Sequence, residues 1–416
     1  MKPHHPKPIN GKSNHAHHAG CDNRVVLYSH DTMGLGHLRR NLLIASVLAG
    51  PPMYANVLII SGAREACHFA VTAGIDCVTL PAVQKDADGF YSGKHLRWTC
   101  CQTTLLRSKI IASTINAFKP QLFIVDKVPR GFAGELDEAL HSIREAGTTR
   151  CILGLREILD DPATAIRQWI ESDAEQTIKD FYDEVWIYGD RNVYDSVRQY
   201  AFQPGTADRS IYTGYLDQRR RSSCNIDERI KPPHHSMALC LIGGGQDGMQ
   251  LASTFARTQM PTGWKGVLLT GPYLPEADRV WLRHALADRT DCDLVEGLVE
   301  ADDYIAHADK VVSMAGYNTI TSILSFEKPA LVVPRVAPRR EQWIRAKRLS
   351  EYGCLTTLEP DSLTPEAIRN WIARSDVPKP TGRAIDLGGL DCIVDRVKHW
   401  LPETRFHLNS SEVSVV

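Results

Sequence analysis

Apolar residues fall in short runs along this chain: Val25–Ser29, Val57–Ser61, Cys77–Leu80, Leu122–Asp126, Cys151–Leu155 and Glu184–Gly189. Between them lie stretches with apolar positions at helical spacing, at His37–Leu48, Glu65–Ala73, Leu105–Phe118, Gly134–Ala146 and Asp161–Trp169. Strand-length runs alternating with helix-length ones predict βαβ units and a parallel sheet. A second series opens at Met237. Its strands are expected at Met237–Ile242, Gly266–Thr270, Asp293–Glu296, Lys310–Ser313 and Pro329–Val333, and its helices at Gly248–Arg257, Pro275–Leu286, Ala301–Ala306, Asn318–Phe326 and Glu341–Tyr352. A final helix over Leu387–Leu401 carries one apolar stripe of Leu390, Ile393, Val394, Val397 and Leu401.

The segment Asp217–Pro233 between the two series is charged, weakly periodic and holds Pro232-Pro233, so it reads as a linker or exposed loop. The expected fold class is therefore α/β, with two Rossmann-like, doubly wound parallel-sheet domains at 24–216 and 237–380. The linker takes 217–236, and 381–416 hold a closing helix and tail. Residues 1–23, rich in His, Pro and Lys, lack core-forming residues and read as a disordered tail. Two such domains leave a cleft between the carboxyl ends of their sheets, where open α/β sheets bind ligands.

Candidate chemistry gathers at those strand ends. The first strand runs into HDTMGLGHLRR, with Gly34, Gly36 and His37 where a helix begins. Glycines let a substrate approach the backbone, and a helix start disfavours imidazolium, which suits His37 as a general base. A histidine that merely caps the turn is the structural alternative. Asp126 ends the strand of LFIVDKVPRG and could orient His37, act as the base itself or hold an acceptor. Arg156 and Glu157 at the end of another strand read as a guanidinium–carboxylate pair, catalytic or structural.

In the second series, Gly243, Gly244 and Gly245 follow a strand and precede a helix, as does Gly316, and free helix-start amides seat phosphate. The Walker lysine is missing, so P-loop ATP hydrolysis is not indicated. Nor is a dinucleotide fingerprint, since GLGHLR lacks its third glycine. Arg335 and Arg339 offer forks for phosphate oxygens, and Glu341 with Gln342 offers acceptors and donors for sugar hydroxyls. The D-x-D triplets Asp86–Asp88 and Asp291–Asp293 read as ordinary turns, so no metal site is expected.

Bulk composition narrows the classes. Lys plus Arg number 48 against 49 Asp plus Glu, a balance unlike that of a nucleic-acid binder. No apolar run approaches the ~20 residues of a membrane span, and no signal-peptide core is evident. The 11 cysteines lack C-x-x-C spacing and read as reduced thiols of a cytoplasmic protein. Arg219–Arg221 read as a solvated linker, with peripheral contact to an anionic membrane face as the alternative.

The segments HDTMGLGHLRRNLLIA, FIVDKVPRGFAGEL, LGLREILDDP, YTGYL, LIGGGQDG and AGYNTITSILSFEKPALVVPRVAPRREQWIRAKRL resemble glycosyltransferases related to family 28, the group that holds the peptidoglycan lipid N-acetylglucosaminyltransferase. The resemblance covers most of Arg24–Cys354 and implies the GT-B architecture. That means an acceptor-side first domain, a second domain binding a nucleotide-sugar, usually UDP-linked, and a terminal helix crossing back. It implies an inverting, metal-independent transferase without a cofactor. The acceptor is open among glycan, lipid-linked sugar and small metabolite; hydrolysis of the nucleotide-sugar, or binding without catalysis, are the alternatives. By position, Gly243–Gly245 and Gly316, Asn318 and Thr319 would meet the diphosphate, Thr270 and Gly271 the base, and Glu341 and Gln342 the donor sugar. One departure stands out. Relatives commonly place a ribose-binding glutamate where this chain has the shorter Ser322.

Overall fold

Among the described residues, fifteen strands carry the architecture: β1 Arg24–Ser29, β2 Asn56–Ser61, β3 Ile75–Thr79, β4 Val83–Lys85, β5 Tyr91–Gly93, β6 Leu122–Asp126, β7 Arg150–Arg156, β8 Glu184–Tyr188, β9 Ser210–Tyr212, β10 Ser236–Leu241, β11 Trp264–Leu269, β12 Cys292–Val295, β13 Lys310–Ser313, β14 Ala330–Val332 and β15 Thr356–Thr357. They come from a computed structural model, which describes residues 23–30, 35–64, 73–85, 91–221, 235–244, 247–297, 300–380 and 385–401. Residues 1–22 of the N-terminal tail, residues 65–72 of the expected helix Glu65–Ala73, the triplet at 86–88 and most of the linker lie outside the described residues.

The front lobe holds a seven-stranded sheet in the order β3-β2-β1-β6-β7-β8-β9, and the rear lobe a six-stranded one in the order β12-β11-β10-β13-β14-β15. Every pairing in both is parallel. Helices cover both faces of such sheets, so their central strands are apolar throughout. Val25 through Tyr28 of β1 and Met237 through Cys240 of β10 are all 0 % exposed. In each sheet the chain winds outward from its first strand, then returns to that strand's other side. The reversal falls between β1 and β6 in front and between β10 and β13 behind. His37, Asp126, Gly243 and Gly316 follow or end these four strands.

One apolar cluster spans both lobes. It joins Leu38 and Leu42 of the front helix Gly36–Ala49 to Met237, Tyr317 and Ile320 behind, and to Leu390, Ile393 and Val397 of the closing helix Gly389–Lys398. That helix lies against the front sheet: Arg396 bonds Glu184, and the Trp400 and Trp186 rings stack at 6.3 Å. The start of the helix is held by the Gly389 amide donating to the Tyr215 carbonyl.

The lobes also share a buried ion pair. Arg345 on the rear helix Glu341–Glu351 donates to Glu157, just past β7, at 2.6 Å. Both side chains are 0 % exposed. Arg345 also donates to the Ala315 carbonyl at 3.0 Å, beside the Gly316 turn. This corrects the expected pairing of Arg156 with Glu157: the carboxylate faces the other lobe. Removing one member of a buried pair strands its partner. Arg345→Met should therefore lower stability by about 3–5 kcal/mol, and adding Glu157→Leu should recover most of that loss. Urea unfolding of the two variants beside the parent measures both.

Candidate functional site

The two reversal points face each other across a cavity of about 250 Å³. Gly36, His37, Arg39, Arg40 and Arg156 line its front wall, and Gly243, Gly244, Thr270, Gly271, Asp302, Gly316, Asn318, Thr319 and Ser322 its rear wall.

His37 is the second residue of the helix Gly36–Ala49, and its Nδ1 lies 3.1 Å from Asp126 Oδ2. Asp126, 1 % exposed, sits behind His37 rather than on the cavity wall. The Arg40 guanidinium donates to both its oxygens, at 2.7 and 2.5 Å. Burial alone would raise the Asp126 pKa, but the Arg40 and His37 charges hold it well below the usual carboxylate range. A carboxylate so acidic is a poor proton acceptor; it serves as an anchor. Arg40 also lies 3.0 Å from His37 Nδ1. The carboxylate is the stronger hydrogen-bond acceptor, so the ring proton belongs on Nδ1, directed at Asp126. Arg40 itself is clamped between the rings of Tyr188 and Tyr317, 5.8 and 5.4 Å from their centroids.

On the rear wall, Gly243 adopts a φ of 62°, which glycine takes without strain. The turn after β11 packs directly on it: a Cβ at Gly271 would lie 2.1 Å from the Gly243 carbonyl oxygen. Gly271 is thus required by backbone contact. Gly316 begins the helix Tyr317–Ser325 with no side-chain cap, and its carbonyl accepts the Ile320 amide. The amides of Tyr317, Asn318 and Thr319 therefore have no acceptor within the helix. Asn318 reaches the opposite lobe, donating to the Gly36 carbonyl at 3.0 Å. Ser322 donates to Asp302 Oδ1 at 2.7 Å, and Thr270, 1 % exposed, accepts the Gly297 amide at 3.3 Å.

Several expected site residues lie elsewhere. Arg335 is neutralised by Asp247 at 2.5 Å and Glu341 at 2.6 Å, so it is not a free phosphate fork. Glu341 faces Arg335, while Gln342 Oε1 accepts the Ala315 and Arg335 amides, both at 3.2 Å; neither lines the cavity. Arg339 is also off the wall, although its charge reaches Lys127. Burial, with Arg156 and Arg339 nearby, pushes the Lys127 amine down to about 7. Arg156 is on the wall with its Nε unpartnered, and burial followed by Arg345 and Arg40 lowers its pKa to about 10. Gly34 and Gly245 lie outside the described residues.

In the Arg219–Arg221 run, Arg219 and Arg220 are exposed, as expected of a solvated segment, whereas Arg221 is largely buried. Arg219 pairs with Asp217 at 2.7 Å, Arg220 with Asp391 at 2.6 Å and Arg221 with Glu300 at 2.9 Å. Arg39, Arg40, Tyr317 and Asp302 were missed as site residues. Arg40 had a signal: it follows His37 by three residues, one helical turn on, and so shares its face. Asp302 had none, being one of several acids in a polar stretch. Among the described residues no helix is long and apolar enough to cross a membrane.

The Glycosyltransferase family 28 C-terminal domain matches residues 267–383. Two curated proteins named UDP-N-acetylglucosamine–N-acetylmuramyl-(pentapeptide) pyrophosphoryl-undecaprenol N-acetylglucosamine transferase are similar over part of the chain. The Clostridium novyi protein is 38% identical over 87 residues, 19% of this chain and 24% of its own length. The Haemophilus influenzae protein is 25% identical over 150 residues, 36% of this chain and 42% of its own length. The chain thus matches less than half the length of either relative. Solved structures extend the likeness in fold to nearly the whole chain. The kitacinnamycin glycotransferase superposes at TM-score 0.59 with 15% identity, covering 92% of this chain and 100% of its own. MurG of Acinetobacter baumannii gives 0.51 with 13% identity, covering 91% and 99%. UDP-GlcNAc 2-epimerase of Neisseria meningitidis gives 0.56 with 12% identity, covering 91% and 100%. Residues 267–383 of the rear lobe thus match the family 28 C-terminal domain, and the two parallel-sheet lobes together share the fold of GT-B glycosyltransferases.

Proposed function

We propose that the protein transfers a sugar from a nucleoside-diphosphate donor to an acceptor hydroxyl. The observation that carries this reading is the opposition of two unlike walls in one cavity: an anchored histidine in front, and glycine turns with free helix-start amides behind. With its Nδ1 proton held by Asp126, His37 presents Nε2 as the base. It takes the acceptor's proton as that oxygen attacks the anomeric carbon and the bond to the diphosphate oxygen breaks. The departing diphosphate is met by the amides of residues 317–319, the Gly243–Gly244 turn and Arg156, positive groups fixed where negative charge develops. Base and leaving-group seat on opposite walls suit a single displacement, which inverts the anomeric centre. Helix amides and arginine supply the field that a divalent ion would otherwise provide, so the mechanism is metal-independent on this reading.

The names of the two curated relatives point to UDP-N-acetylglucosamine as the first donor to try and a pyrophosphoryl-lipid sugar as the first acceptor. Donor turnover with and without acceptor separates transfer from hydrolysis: free sugar released without acceptor means that water is the nucleophile. His37→Ala should preserve donor binding while turnover falls at least ~100-fold. Near-normal turnover would remove His37 from the role of base. Gly271→Ala pushes the Gly243 turn off its position and should weaken nucleotide binding at least ~10-fold, measured by calorimetric titration with UDP.

A further inference from the structure

His37 and Asp126 belong to the front lobe, but the arginine beside them is held from both lobes. Arg40, 3 % exposed, reaches both Asp126 oxygens and approaches His37 through a single nitrogen, Nη2. Its Nε is buried and makes no hydrogen bond. A guanidinium that grips a carboxylate with two nitrogens has its plane fixed by the fork, whereas one nitrogen leaves it free to swing. What fixes the plane here is the pair of rings around it. Tyr188, at the end of β8, has its ring centre 5.8 Å from the guanidinium carbon. Tyr317, the first residue of the rear helix Tyr317–Ser325, has its ring centre at 5.4 Å.

Tyr317 is 4 % exposed, and its hydroxyl is buried without a hydrogen-bond partner. The side chain therefore acts through its ring, which also meets Arg345 of the inter-lobe ion pair at 5.7 Å. We infer that Tyr317 is a positioning residue for the base: its ring, supplied by the rear lobe, sets Arg40 against Asp126 and His37, so that the base is complete only with the lobes together. This deepens the reading of His37 as the base and rests on it. The consequence is electrostatic. Around the His37 ring stand Arg40 on its own helix, Asp126 at the end of β6, His30 just past β1 with its ring 5.0 Å away, and Arg156 on the same wall. Arg40, held 3.0 Å from the ring, satisfies Asp126 and disfavours a second ring proton. Were it to swing away, Asp126 would be left to draw that proton, and an imidazolium cannot act as a base. The amide of Tyr317 is among those proposed to meet the diphosphate, so donor seat and base are tied to one turn of helix.

The test follows the His37 ring itself, by nitrogen-15 spectra of the histidine-labelled full chain across pH. Loss of one signal in His37→Gln assigns it. Tyr317→Leu should make the ring bind its second proton at least ~10-fold more tightly than in the parent. UDP affinity, read by calorimetry, should stay within ~3-fold, because the helix-start amides remain. Tyr317→Phe keeps the ring and should match the parent in both. Arg40→Gln should move the His37 ring in the same direction as Tyr317→Leu, and combining the two should add nothing further. Tyr317→Met takes the place of Tyr317→Leu if the latter does not fold. A merely structural Tyr317 would lower the unfolding temperature on replacement and leave proton binding at His37 as in the parent. That outcome overturns the inference, as does a Tyr317→Phe that behaves like Tyr317→Leu, or additive effects in the double variant. A parent that binds no UDP overturns the nucleotide-sugar reading instead, and the His37 spectra still decide the part played by the ring.

Discussion

The Glu157–Arg345 pair fixes the relation between the two lobes, and the site depends on that relation. Neither partner reaches solvent, and each touches a further element: the Tyr215 hydroxyl lies 3.4 Å from Glu157, and the Ala315 carbonyl accepts from Arg345. Burying two charges is expensive, and the pair is stable only while both members stay together. A wide opening of the cleft would separate them. The Asn318–Gly36 bond at the cavity rim and the shared apolar cluster restrict the same motion.

Within this frame three buried carboxylates have arginine partners. Asp126 has Arg40, Glu135 has Arg107 and Glu157 has Arg345. Among the buried charged side chains with an atom lacking a hydrogen bond, Arg39, Arg40, Arg156 and Asp302 lie on the cavity wall, and Arg335 and Glu341 lie off it, paired with each other through their remaining atoms. Arg156 reaches the cavity from the end of β7 and Asp302 from the helix Asp302–His307, so the two charges approach it from opposite lobes.

The sheets were legible because parallel strands buried on both faces are written as plain apolar runs. β6 and β13 begin and end where the pattern places them, and other strands shift by a residue or two. The edge strands β9 and β15, three and two residues long, went unseen because so short a segment has no period. The glycine turns and His37 were legible because strand-to-helix junctions mark the ligand edge of any doubly wound sheet. Side-chain partnerships were not. Glu157 and Arg345 are 188 residues apart, and no local pattern relates them. Charge alone makes Arg335 a phosphate ligand, whereas the folded chain brings Asp247 to it from 88 residues away. Asp302 shows the same: its carboxyl group is bonded by Ser322, 20 residues on and on another helix.

The closing helix Gly389–Lys398 sits on the front sheet, although the whole rear lobe separates the two in sequence. A ribosome-bound nascent chain therefore holds Trp186 and the neighbouring apolar surface without their cover until the rear lobe has emerged. The rear lobe must form meanwhile beside an unfinished neighbour. Completion of the front half and assembly of the catalytic cleft thus become a single late event, during which exposed apolar surface is open to chaperones and to aggregation alike.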